Sequence, residues 1–162
     1  MAVHRAQEAL HAGDLGNAED EVARAIDLQP RNGYYAQVMA EVHKLDGSHE
    51  AAFAEMDRGA RLQPGIPRIA LSAAQSALAV DNLDAAEDWY KYALASDPNG
   101  AGVLMEAAGF YVRTGRPDQA VDLLGMFESL RSPNGEAWAT AGKIYLSLGL
   151  EARADHAALC AT

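Results

Sequence analysis

The chain has 162 residues, 49% of them hydrophobic and 7% aromatic, so it can bury one core, built by close helix approach through alanine more than by bulky side chains. Its formal net charge of −10 and sequence pI near 4.8 argue against nucleic acid, whose phosphates need clustered Lys and Arg, and against an anionic membrane surface. No run of apolar residues is long enough to span a bilayer, the start MAVHRAQEAL lacks the apolar stretch of a signal peptide, and the lone Cys160 excludes an intrachain disulfide while leaving cytoplasm and periplasm both open.

Along the chain, apolar residues recur at helical spacing and no stretch alternates as a strand does. A first helix is expected over roughly 2–12 and a second over roughly 15–28, separated by Gly13 and Asp14. Further helices follow at roughly 32–45, 49–62, 66–79, 83–95, 100–113, 117–130, 134–147 and 151–160. Asp14, Ser48 and Asn82 share one N-cap column, and Pro117 suits a first helical position. The best-marked helix lies in DNLDAAEDWYKYALASDP, residues 81–98. Asn82 caps it, while Asp84, Glu87 and Asp88 put negative charge where the helix dipole favours it. Leu83, Ala86, Trp89, Tyr90, Ala93 and Leu94 share a face, and Pro98 follows the end. This helix recurs: Ala18, Ala52, Ala86, Ala120 and Ala154 stand 34 residues apart, as do Gly13, Gly47, Asp81, Gly115 and Gly149.

That period, with a turn and then a small residue inside each second helix, marks a stacked helix-turn-helix array. The chain resembles the tetratricopeptide repeat (TPR) family. The family's first-helix pattern W-x2-L-G-x2-Y is matched by Trp138, Ala141, Gly142 and Tyr145 with one substitution. Leu104, Ala107, Ala108 and Tyr111 fill the same places more weakly, as do Ala36, Met39, Ala40 and His43. The second-helix run of Ala, aromatic and Ala falls on Ala86, Tyr90 and Ala93, and more loosely on Ala52, Met56 and Gly59. The closing proline is Pro30, Pro64 and Pro98; in the fourth copy Ser132 stands there and Pro133 follows.

The resemblance implies an all-α, right-handed superhelical solenoid of about five TPR helix-turn-helix units. It would form a single array over 1–162, in registers of about 1–32, 33–66, 67–100, 101–134 and 135–162. The usual repeat start would lie before Met1, and the last helix ends on Leu159 and Cys160, so the sequence reads as part of a longer chain in which self-association through uncapped ends is open.

Little in the sequence points to chemistry, and neither a metal nor a cofactor is expected. His4 and His11 are seven apart, without the i, i+4 spacing and third ligand of a helical zinc site. His43 stands in the column of Tyr111 and Tyr145 and reads as a packed residue. Asp20 with Glu21, and Glu87 with Asp88, occupy adjacent positions that point apart on a face expected to be solvated. Met39, Met56, Met105 and Met126 read as core or groove filling, and Cys160 has no basic neighbour expected to activate it. The chain is therefore read as not an enzyme.

In the family the first helices line a concave groove that holds an extended or helical peptide, and the resemblance implies the same here. The stripe is Tyr34, Gln37, Glu41 and Lys44, then Arg68, Leu71, Gln75 and Leu78, then Gly102, Met105, Gly109 and Val112, and last Ala139, Lys143 and Leu146. Members that bind acidic chaperone C-termini use Lys and Asn, then Asn, then Lys and Arg. The matching places hold Val3 and Gln7, Val38, and Arg68 with Ser72, which disfavours that role. The first helices carry Glu8, Glu41, Glu106 and Glu136 against Arg5, Lys44, Arg68, Arg113 and Lys143, a local sum of +1 in a chain of −10. The expected partner is thus a protein or peptide segment, amphipathic or mildly acidic, with a bulky side chain against Met105 and a notch at Gly102 and Gly109. Two functions fit: a non-catalytic protein-interaction scaffold within a bacterial assembly, secretion, pilus or exopolysaccharide system, or the TPR segment of a larger enzyme, such as a sulfotransferase or glycosyltransferase, with catalysis elsewhere.

Overall fold

The computed structural model describes residues 2–130 and 134–162, so Ser132 and Pro133 lie outside the described residues. Among the described residues it is all α-helix: α1 Ala2–His11, α2 Leu15–Leu28, α3 Gly33–Leu45, α4 His49–Leu62, α5 Pro67–Ala79, α6 Leu83–Ser96, α7 Ala101–Arg113, α8 Pro117–Glu128, α9 Gly135–Ser147 and α10 Glu151–Cys160. These form the helix pairs that the 34-residue period requires.

The turn inside each pair has one construction. Gly13, Gly47, Asp81, Gly115 and Gly149 all take positive φ, between 54° and 82°. The N–H of the following residue reaches back to a carbonyl five residues earlier: Asp14 to Ala9, Ser48 to His43, Asn82 to Ala77, Arg116 to Tyr111 and Leu150 to Tyr145, at 2.8 to 3.0 Å. Each turn residue also donates to the carbonyl three before it. This pair of bonds is the Schellman ending, which satisfies carbonyls that a helix terminus leaves open. The second helix then starts at once, capped by Asp14 Oδ1 accepting from Asn17 N–H and by Asn82 Oδ1 accepting from Ala85 N–H. Ser48 departs from its column: its hydroxyl donates to Asp46 Oδ2, and it makes no cap bond. Two caps on first helices complete the set, Asn32 accepting from Tyr34 N–H and Asn134 accepting from Ala137 N–H.

The chain divides into two compact units, residues 1–89 and 90–162, with the boundary inside α6. In the first, α1 packs on α2, α2 on α3, α3 on α4 and α4 on α5. Its core includes Ala6, Ala9, Ala18, Val22, Val38, Met39 and Val42. Small residues set the separation of α3 and α4: a Cβ added at Gly33 would lie 2.7 Å from the Gly59 carbonyl oxygen. In the second unit α7 packs on α8 and α9, and α9 on α10. Here aromatic rings fill the space, with Tyr90 and Phe110 centred 5.0 Å apart and Phe127 edge-on to Trp138 at 4.8 Å. The five repeat alanines are all buried, Ala18, Ala86 and Ala120 completely.

Candidate functional site

First helices supply most of the lining of the clefts described for each unit, with α4 contributing to one of them. In residues 1–89, a cleft of about 310 Å³ between α1 and α3 is lined by Gln7, Leu10, His11, Tyr34, Gln37, Val38 and Glu41. Gln7 Nε2 donates to Tyr34 Oη at 2.8 Å across its edge. Gln37 Nε2 donates to Gln63 Oε1 at 2.5 Å, which ties its amide to the end of α4. A second cleft, of about 220 Å³ among α3, α4 and α5, shares the wall at Glu41. Buried Ala40 and Ala52 lie beneath it with Met56, and Lys44, His49, Ser72, Gln75 and Ser76 supply polar groups. Lys44 Nζ sits 3.6 Å from Glu41 Oε2, both well exposed.

In residues 90–162, a cleft of about 300 Å³ is lined by Ala101, Gly102, Met105 and Glu106 from α7 and by Asn134, Glu136, Ala137 and Thr140 from α9 and its cap. A Cβ added at Gly102 or Gly109 would meet no atom within 4 Å.

The expected stripe is distributed unevenly over these clefts. Tyr34, Gln37, Glu41, Lys44, Gln75, Gly102 and Met105 line them. Arg68 and Lys143 are exposed outside the cleft linings, and Leu78, Gly109 and Val112 are half-buried. Leu71 and Met105 are corrections to the picture of exposed apolar patches, since they are 9% and 4% exposed. The reason is the width of the apolar stripe: α5 buries Ile69, Ala70, Leu71, Ala73, Ala74 and Ala77, and α7 buries Val103 to Met105 with Ala107, Ala108, Phe110 and Tyr111, so each is covered on more than one side. Sequence reasoning missed His49, which enters from a second helix, and also Leu10 and Ser76, while it read Met56 only as core or groove filling and Ser72 only as a place where the clamp pattern fails. Ser72 and Ser76 stand four and eight residues after Arg68 on one helix face, a spacing that could have found them.

Three further side chains differ from expectation. Glu21 is buried, 5% exposed, with Arg24 Nη1 at 2.8 Å from Oε1 and Arg5 Nε at 3.5 Å from Oε2, so it joins α1 to α2 rather than facing solvent. Met126 is 43% exposed. Cys160 does have a basic neighbour, His156 Nε2 at 3.6 Å one helical turn back. His4 lies 3.4 Å from Glu8, and no cluster of three metal-binding side chains occurs among the described residues. Burial first, then its 2.6 Å hydrogen bond to Glu128 Oε1, pushes the Tyr145 phenol well above its ordinary range.

Residues 77–127 match the family model described as Tetratricopeptide repeat. Among solved structures, MamA is similar over 99% of this chain and 87% of its own, with 17% identity and a TM-score of 0.75. YrrB, described as a TPR protein with an unusual peptide-binding site, is similar over 99% and 82%, with 13% identity and a TM-score of 0.69. PilF of Pseudomonas aeruginosa is similar over 95% and 70%, with 15% identity and a TM-score of 0.69. No curated protein matches the sequence. At these identities the likeness is one of fold: paired helices repeated along the chain.

Proposed function

We propose that this chain, which matches the tetratricopeptide repeat model over residues 77–127 and shares the fold of TPR proteins, is a non-catalytic scaffold whose first-helix faces bind a segment of a partner protein. The observation that carries the reading is where the clefts lie: α1, α3 and α5 in one unit, and α7 and α9 in the other, supply most of their lining. The peptide-binding site described for YrrB, which shares the fold, supports it. The alanine-rich composition fits a component of a bacterial assembly such as a secretion, pilus or exopolysaccharide system. The near-neutral first-helix face suits an amphipathic or mildly acidic segment, with a bulky side chain at the cleft beside Met105.

Selection of peptides from a displayed random library against the whole chain tests this. Peptides that dock on residues 1–89 should be weakened by Arg68→Glu, and peptides that dock on residues 90–162 by Gly109→Trp, each by about tenfold or more. A Cβ at Gly109 meets no atom within 4 Å, and circular dichroism of Gly109→Trp checks that the fold is kept. Neutralising second-helix acids, Glu87→Gln with Asp88→Asn, should leave binding within about twofold. The reverse pattern would move the binding surface to the second helices.

A further inference from the structure

The dipeptide Asn-Gly occurs three times, at 32–33, 99–100 and 134–135, and Pro-Asn-Gly is the same at 98–100 and 133–135. Such a pair is open to one covalent change. A glycine has no Cβ to hinder the approach of its backbone nitrogen to the side-chain amide carbon of the asparagine before it. The reaction needs a carboxamide that can turn onto that nitrogen.

Two of the three asparagines are held. Asn32 caps α3, with Oδ1 accepting from Tyr34 N–H at 3.1 Å and Nδ2 donating to Gln29 Oε1 at 3.2 Å. Asn134 caps α9, with Oδ1 accepting from Ala137 N–H at 2.8 Å. Their glycines lie against a second helix end: an added Cβ would be 2.7 Å from the Gly59 carbonyl oxygen at Gly33, and 2.5 Å from that of Ala161 at Gly135.

Asn99 stands one residue before the cap column of 32, 66, 100 and 134, and this decides its environment. The cap position of α7 is taken by Gly100, which makes no side-chain cap bond. Asn99 is exposed, and its side chain makes no hydrogen bond among the described residues. The Gly100 N–H reaches the Asp97 carbonyl at 3.3 Å, longer than an ordinary bond of this kind. A Cβ added at Gly100 would meet only Asp97, a residue of the same turn.

We propose that Asn99 deamidates spontaneously in the folded protein, while capping protects Asn32 and Asn134. The Gly100 nitrogen gives its proton to solvent base and attacks Asn99 Cγ. The new C–N bond forms as the bond from Cγ to Nδ2 breaks, and the amide nitrogen takes up a proton and leaves as ammonia. Water then adds to either carbonyl of the five-membered succinimide and opens it to aspartate or isoaspartate. The net change is water gained and ammonia lost, with nothing oxidised or reduced, and it adds one negative charge at neutral pH. Isoaspartate also carries the main chain through an extra methylene, two residues before Ala101, where the lining of the cleft of α7 and α9 begins.

Peptide mapping by mass spectrometry, after incubation of the whole folded chain in mildly alkaline buffer, tests this. Asn99 should convert at least about fivefold faster than Asn32 and Asn134, the rate equivalent of one cap bond. In guanidinium chloride, where the caps are lost, the three rates should converge to within about twofold. Equal rates in the folded chain, or faster conversion at a capped asparagine, overturn the proposal. So does an Asn99 that stays intact. A rate difference that persists in denaturant overturns it as well, because the protection would then not come from the fold.

Discussion

Asp81 is the residue at which this repeat departs from its own rule. It holds φ 54° in a column otherwise filled by glycine. A Cβ in the left-handed region costs about 1 kcal/mol or more, less for Asp than for branched residues. Asp81→Gly should thus stabilise the fold by about 1 kcal/mol and Asp81→Val should destabilise it, read as shifts in urea midpoint. Tyr145 is the second such residue. Its phenol, raised by burial and then by Glu128, stays protonated in the fold above the ordinary value of 10.0, where an unfolded tyrosine loses its proton. Above that pH the unfolded chain binds fewer protons than the folded one, so this contribution is complete below about pH 10 and declines as pH rises further. Urea midpoints should be level up to that pH and fall beyond it. In Tyr145→Phe the fall should be shallower, from a starting stability lower by about 1 kcal/mol.

Each helix is held by what its neighbour permits, and the glycines show both cases. Gly33 is at a close approach to the Gly59 carbonyl oxygen, so Gly33→Ala forces α3 and α4 apart and should cost about 1–3 kcal/mol. Gly109 lies within α7 with open space at its Cβ, so Gly109→Ala should instead gain up to about 1 kcal/mol through helix propensity. The same argument applies to the alanine column. Ala86 is 0% exposed inside α6, and Ala86→Leu should lower stability by about 1–3 kcal/mol, measured by thermal or denaturant unfolding. Most of these features are legible in sequence, because a glycine turn, an Asn or Asp cap and an alanine at fixed spacing each answer to the backbone of their own helix pair. Ser48 shows the limit: it stands in the cap column, yet the carboxylate of Asp46 two residues earlier takes its hydroxyl.

For the molecule as a whole, net charge governs which polymers approach it. With −10 at neutral pH, it should pass unretained through immobilised double-stranded DNA at about 0.15 M salt, because no counterion release compensates the repulsion. Strong retention would mean that the local positive sum of the first helices outweighs the total.

What the sequence determined by itself is the repeat: its period, its helix boundaries and its turn chemistry, all of which depend on interactions within a few residues of one another. The tertiary structure decided which residues of the first-helix stripe are reachable. Leu71 has the pattern of a groove residue but is buried outside the cleft linings, and Met105 reaches its cleft with only 4% of its surface exposed, because helices covered on more than one side bury a stripe wider than one row. His49 and Met56 come to a cleft from a second helix, which no stripe drawn on first helices contains. Glu21 was read as a solvated acid and is instead enclosed by Arg5 and Arg24, because its exposure is set by the approach of α1 to α2 and not by its own neighbours in sequence.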